Sequence, residues 1–123
     1  MKRLLLSLVI LSISAFAADA TGKWSGSAQV NVNGEDQDYS VYLVLKQDGA
    51  KLTGTAGQSA DQQGDIENGV ASGDTIEFDF KPGEDAPPMH FKFKVDGDSL
   101  RGEGNGEGDG NTVKAKLELK REK

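Results

Sequence analysis

Thr75-Ile76-Glu77-Phe78-Asp79-Phe80-Lys81 alternates apolar with polar or charged side chains at every step. A period of two belongs to a β-strand with one face in a core and the other in water. Beyond the segment 81–88 the pattern returns: Met89, Phe91, Phe93 and Val95 alternate with His90, Lys92 and Lys94. Two such runs joined by a polar connection predict an antiparallel pair with Ile76, Phe78 and Phe80 inward.

Working outward, the same alternation recurs in both directions. Trp24, Gly26, Ala28, Val30 and Val32 share one face of a first strand, and Tyr39, Val41, Leu43 and Leu45 one face of a second. Leu52, Gly54 and Ala56 mark a third, and Ile66, Asn68 and Val70 a fourth. Leu100, Gly102, Gly104 and Gly106, then Val113, Ala115, Leu117 and Leu119, mark the last two. The expected fold is all-β: an eight-stranded antiparallel up-and-down meander closed into a barrel, with an open β-sandwich as the alternative. Closure pairs the first strand with the last and removes both exposed edges.

Asp48-Gly49, Gly97-Asp98 and Asp109-Gly110 suit two-residue turns, because Gly and Asp tolerate positive φ. Gly49, Gly73 and Gly97 recur every 24 residues, one hairpin per repeat. A register built on these turns sets Glu77 beside Lys92, Lys92 opposite Glu103, Glu103 opposite Lys116, and Arg101 opposite Glu118. Opposite charges then meet across four strands. Phe91 and Phe93 face Gly104 and Gly102, so aromatic rings cover a bare strand.

The chain opens as a processing signal. Met1-Lys2-Arg3 is basic, Leu4 to Ile13 is apolar, and Ala15-Phe16-Ala17 is an A-x-A site. Cleavage is expected after Ala17, alternatively after Ala20, leaving a single barrel domain over residues 21–121 that is exported to a periplasm or secreted. The apolar run is shorter than the roughly 20 residues a membrane span needs. Without residues 1–17 the chain keeps 12 basic against 20 acidic side chains, a net charge of −8. Such a surface repels nucleic acid and anionic membranes. With no cysteine, neither a disulfide framework nor a thiolate metal site is available.

Gly22-Lys23-Trp24-Ser25-Gly26 at the start of the first strand resembles the G-x-W opening of lipocalin-like (calycin-like) barrels, and in particular small exported bacterial barrels of uncharacterised function. The resemblance implies that Trp24 plugs the closed end of the barrel. It implies no activity. Trp24 is the sole tryptophan, which argues against an avidin-like biotin pocket.

Connections at the Trp24 end are short, whereas 33–38, 57–64 and 81–88 are longer and define a mouth. Glu35, Asp36, Asp38, Asp61, Glu84 and Asp85 make that mouth acidic. Tyr39, Asn68, Phe78, Phe80, Met89 and Phe91 lie behind it as the candidate ligand-binding side chains. An acidic mouth favours a neutral or cationic amphiphile over a fatty-acid carboxylate. The inward phenylalanines favour a filled interior and the glycine row a hollow one, so both remain open.

Catalytic chemistry finds no footing. His90, the lone histidine, falls outward and is expected to be solvated. Glu77 and Asp79 form an i, i+2 carboxylate pair on the same wet face. The oxygen-rich run Glu103–Asn111 lacks EF-hand spacing and is expected to be a glycine-faced strand instead of a calcium loop. No cofactor, metal site or enzymatic activity is expected. The leading expectation is a non-enzymatic binding barrel for a small apolar or amphiphilic ligand. The alternative is a protein-interaction or inhibitor module, with a packed barrel whose acidic loops meet a basic partner and Tyr42 and Val44 as contact residues.

Overall fold

The computed structural model describes residues 19–83, 87–108 and 110–122. The strands are β1 (Gly22–Val32), β2 (Glu35–Asp48), β3 (Lys51–Ser59), β4 (Gln62–Asp65), β5 (Glu67–Ser72), β6 (Thr75–Phe80), β7 (Met89–Asp96), β8 (Ser99–Gly108) and β9 (Asn111–Arg121). They form one antiparallel sheet in which β1 pairs with both β2 and β9, and β2 pairs with β3. The sheet therefore closes on itself as an eight-stranded up-and-down barrel, with β4 and β5 together filling the fourth position. The open sandwich is excluded.

Register across β6 to β9 follows the hairpin turns. Glu77 pairs with Lys92, Lys92 with Glu103, Glu103 with Lys116, and Arg101 with Glu118. Among the described residues, however, ion pairs within 4.0 Å form elsewhere: His90 with Glu77 and Asp79, Lys94 with Asp74, and Arg121 with Asp98. The charged strand faces sit opposite one another in solvent without closing into contact. Surface pairs of that kind contribute at most about 1 kcal/mol each.

The fourth position departs from simple alternation. Between Glu67, paired with Asp79, and Val70, paired with Glu77, β5 carries one residue more than β6. Asn68 absorbs it with φ of 54°, a left-handed conformation that asparagine tolerates better than most residues. The bulge flips the phase. Ile66 points inward, but Asn68 turns outward, Val70 is 50% exposed, and Ala71 takes the next core position. Alternation through Ile66, Asn68 and Val70 fails because a bulge has no composition of its own.

The mouth is also built differently from its sequence pattern. Residues 33–38 are not a loop: Asn33 and Gly34, with φ of 53° and 96°, make a tight turn, and β2 begins at Glu35. The segment 57–64 is likewise a hairpin, with β3 ending at Ser59 and β4 starting at Gln62. Glu35 to Ser40 are exposed on both strand faces. These ladders run past the packed core, so polarity on both faces reads as loop while the backbone stays paired. Of the expected long connections, the segment between β6 and β7 remains irregular in its described part.

At the opposite end Trp24 is fully buried, and its indole Nε1 donates to the Ala20 carbonyl at 2.9 Å. The Arg121 guanidinium lies over the indole, 4.3 Å from the ring centroid. It donates to the carbonyls of Asp19 (3.0 Å) and Thr21 and pairs with Asp98 Oδ1 at 3.0 Å. Ala20 is itself fully buried, and its N–H donates to Gln47 Oε1 at 2.9 Å. Both ends of the described chain thus meet beneath the barrel. No helix among the described residues is long and apolar enough to cross a membrane.

Candidate functional site

The barrel interior divides along its axis. Near the closed end, Trp24, Leu52, Ile76, Leu100 and Leu119 are buried to 2% exposure or less and fill the space. Towards the mouth, shorter side chains leave a cavity of about 790 Å³. That is a typical size for a small-molecule site. Ala28, Ala56 and Ala115 line its wall where larger residues would have filled it.

Phe78, Phe91 and Phe93 form the cavity's aromatic side, with ring centroids 5.5 to 6.2 Å apart. The glycine row of β8 holds these rings against the sheet. A Cβ at position 104 would lie 2.4 Å from Phe91 Cε1, and one at 102 would lie 2.6 Å from a Phe93 ring carbon. Bare backbone on β8 therefore gives the rings room to lie back from the cavity. Glycines and phenylalanines that seem to argue for opposite interiors act together.

Of the candidate ligand-binding residues, Phe78, Phe80, Met89, Phe91 and Tyr39 all line this cavity. Tyr39 sits at the rim, 38% exposed, with its hydroxyl donating to Gln37. Asn68 does not join them. Turned outward by the bulge, its Nδ2 donates to Asp79 Oδ2 at 2.9 Å on the outer face. Glu35, Asp36, Asp38 and Asp61 are exposed and do not line the cavity; the first three lie on β2 and Asp61 on the β3–β4 turn. Glu84 and Asp85 fall outside the described residues. Tyr42 and Val44 are half-buried on the outer face, and the Tyr42 hydroxyl donates to Glu122 Oε1 at 3.2 Å.

Lys81 was placed outward by alternation, but strand pairing ends at Phe80 opposite Met89, and Lys81 lines the cavity mouth. It is the one charged side chain among the described lining residues. Ser40, Gln58 and Gln62 add neutral polar groups to the same rim. Pro82 and Pro87 flank the irregular connection and also face the cavity.

A second polar constellation lies outside the barrel. His90 Nδ1 is 2.7 Å from Asp79 Oδ1, and His90 Nε2 is 2.9 Å from Glu77 Oε1. Neutral imidazole has one N–H, so satisfying both carboxylates takes the imidazolium. Hydrogen bonds donated to Asp79 and then to Glu77 raise the His90 pKa above its usual 6.5. The Asp79 carboxyl is held below its usual value, first by the Asn68 amide and then by His90. His90 is thus a cross-strand strut instead of a free surface imidazole. The missed signal was the diagonal reach of Glu77, which alternation alone does not reveal.

Among the described residues no three His, Asp or Glu side chains are arranged to hold a metal ion. Glu103, Asn105 and Glu107 spread along the outer face of β8. No family model matches the chain, and no curated protein or solved structure matches it. Its likeness to lipocalin-like barrels is one of general fold.

Proposed function

We propose that this chain is an exported, non-catalytic binding barrel of the small bacterial lipocalin-like kind, which takes up a single small amphiphile, apolar end first. One observation carries the reading: a cavity of about 790 Å³ with an aromatic and aliphatic floor and a polar rim. Apolar walls with a few polar groups at one end orient such a ligand, and each methylene buried contributes about 0.8 kcal/mol. Among the described residues the cavity lining carries no His, Asp or Glu, which supports binding without chemistry.

The test is native mass spectrometry of the mature protein, exported by its own leader and purified without detergent. An added mass of a few hundred daltons, absent from Phe80→Asp, supports the proposal. A bare mass that stays unchanged after exposure to dodecyl-chain amphiphiles refutes it. A second reading then takes over. Glu35, Asp36, Asp38 and Asp61 all face solvent outside the cavity, an arrangement that suits a basic protein partner in a salt-sensitive complex.

A further inference from the structure

We infer that the ligand's head is monoanionic and that Lys81 is its counter-ion. This rests on the binding barrel proposed above and narrows its ligand class. The sequence favoured a neutral or cationic head because six acidic residues cluster near the mouth, but the described four do not line the cavity. Electrostatic preference inside a pocket follows the charges a ligand touches. Asp36 and Asp38 line grooves on the outer wall of the barrel instead, facing away from the space a ligand head would enter.

What a ligand head touches at this rim is different. Lys81 follows the last residue of β6, is exposed, and has no ion-pair partner among the described residues. The other polar side chains of the rim are already partly engaged or neutral. Gln63 donates to the carbonyls of Ser59 (2.7 Å) and Tyr42 (3.2 Å), and the Tyr39 hydroxyl is bound to Gln37. Ser40, Gln58 and Gln62 offer neutral hydrogen-bonding groups beside the ammonium. An ammonium over an apolar shaft, with no carboxylate among the described lining residues, attracts an anion and repels a cation. A tail lying along Phe78, Phe80 and Phe91 brings a terminal head to the Lys81 level, because Phe80 and Lys81 are consecutive at the end of β6.

The experiment compares three heads on one tail: dodecanoate, dodecanol and dodecyltrimethylammonium, each below its micelle concentration, titrated calorimetrically at pH 8. Wild-type protein is expected to bind dodecanoate about fivefold more tightly than dodecanol, and the trimethylammonium compound most weakly. Lys81→Gln should abolish the carboxylate preference, bringing the ratio of dodecanoate to dodecanol affinity to about one. Lys81→Glu should turn the preference towards the cation. Added salt should erode the carboxylate preference of the wild type and leave dodecanol binding intact. Equal affinities for all three heads, or a carboxylate preference that survives Lys81→Gln, overturns the head assignment and leaves the binding barrel standing. Failure of all three to bind overturns both.

Discussion

Gly104→Ala and Gly102→Ala place the same methyl group two residues apart on β8, yet they should behave differently. At position 104 the nearest obstacles to a Cβ are Phe91 ring atoms, at 2.4 and 2.5 Å. Phe91 borders an open cavity, so its ring has somewhere to go. The cost is loss of its tilted and stacked contacts with Phe78 and Phe93, offset by the added buried methyl. We expect a net loss of about 1 kcal/mol. At position 102 the nearest atom is the Lys92 carbonyl oxygen at 2.2 Å, with Phe93 Cα at 2.8 Å. Backbone cannot swing aside, and β7 and β8 must shift, for about 3 kcal/mol or more. For a domain of this size these values are melting-temperature drops of about 5 °C and at least about 15 °C. Thermal unfolding followed by far-ultraviolet circular dichroism measures both. Phe91→Leu provides the control: Gly104→Ala should be milder in that background, while Gly102→Ala should be unchanged. In wild-type background, Gly104→Ala should also weaken dodecanol binding, since the displaced ring occupies cavity volume. An equal or larger loss at 104 than at 102, or no relief from Phe91→Leu, would refute the division of the interior into a filled floor and a yielding wall.

Two further outcomes follow from the ends of the molecule. The His90 strut has a definite sign with pH: a raised histidine pKa stabilises fully below the unfolded value near 6.5 and loses that contribution as pH climbs through the higher folded value. Asp79, lowered in the fold, contributes above its unfolded value near 3.8 and loses it as pH falls through the lower one. Stability should therefore decline from mildly acidic to alkaline pH at low salt, and His90→Gln should flatten that limb; identical melting-temperature slopes for the two proteins would dismiss the strut. At the closed end, Arg121→Ala removes the cation–π contact and several charge-assisted hydrogen bonds, for about 2 kcal/mol. A chain begun at Thr21 loses the Ala20 carbonyl that accepts from Trp24 and should melt lower, whereas a chain begun at Ala18 should not; indistinguishable melting curves would remove the clamp from the account.

Much of this barrel is legible in residue patterns because hairpin turns with glycine at positive φ propagate register along the chain. Gly97-Asp98 alone determines that Phe91 meets Gly104 and Lys92 meets Glu103. Two features escape such patterns. A bulge shifts phase through backbone conformation, so Asn68 and Val70 end up on the face opposite to their spacing. Strands that outrun the core lose their apolar face, so 33–38 and 57–64 look like loops although Glu35–Asp38 and Gln62–Gly64 are paired. The inward rows leave a filled and a hollow interior equally open, although Phe78, Phe80, Met89 and Phe91 are visible as the side chains that would line a cavity. Lys81 is legible as the one base near the mouth but not as a lining residue, because alternation stops having meaning one residue after pairing ends.

The β1–β9 ladder joins Trp24 to Arg121 and Val32 to Val113, so the ring of hydrogen bonds is completed only when β9 docks against β1. Until then β1 is zipped to β2 along one side and bare along the other, and the floor beneath Trp24 is missing its guanidinium. A chain in which β1 to β8 have paired but β9 has not yet docked holds that open seam. Seams of this kind invite intermolecular pairing, and long-range closures are slow. Glu35, Asp36 and Asp38, exposed along β2, work against such pairing, because like charges on two half-built sheets repel one another.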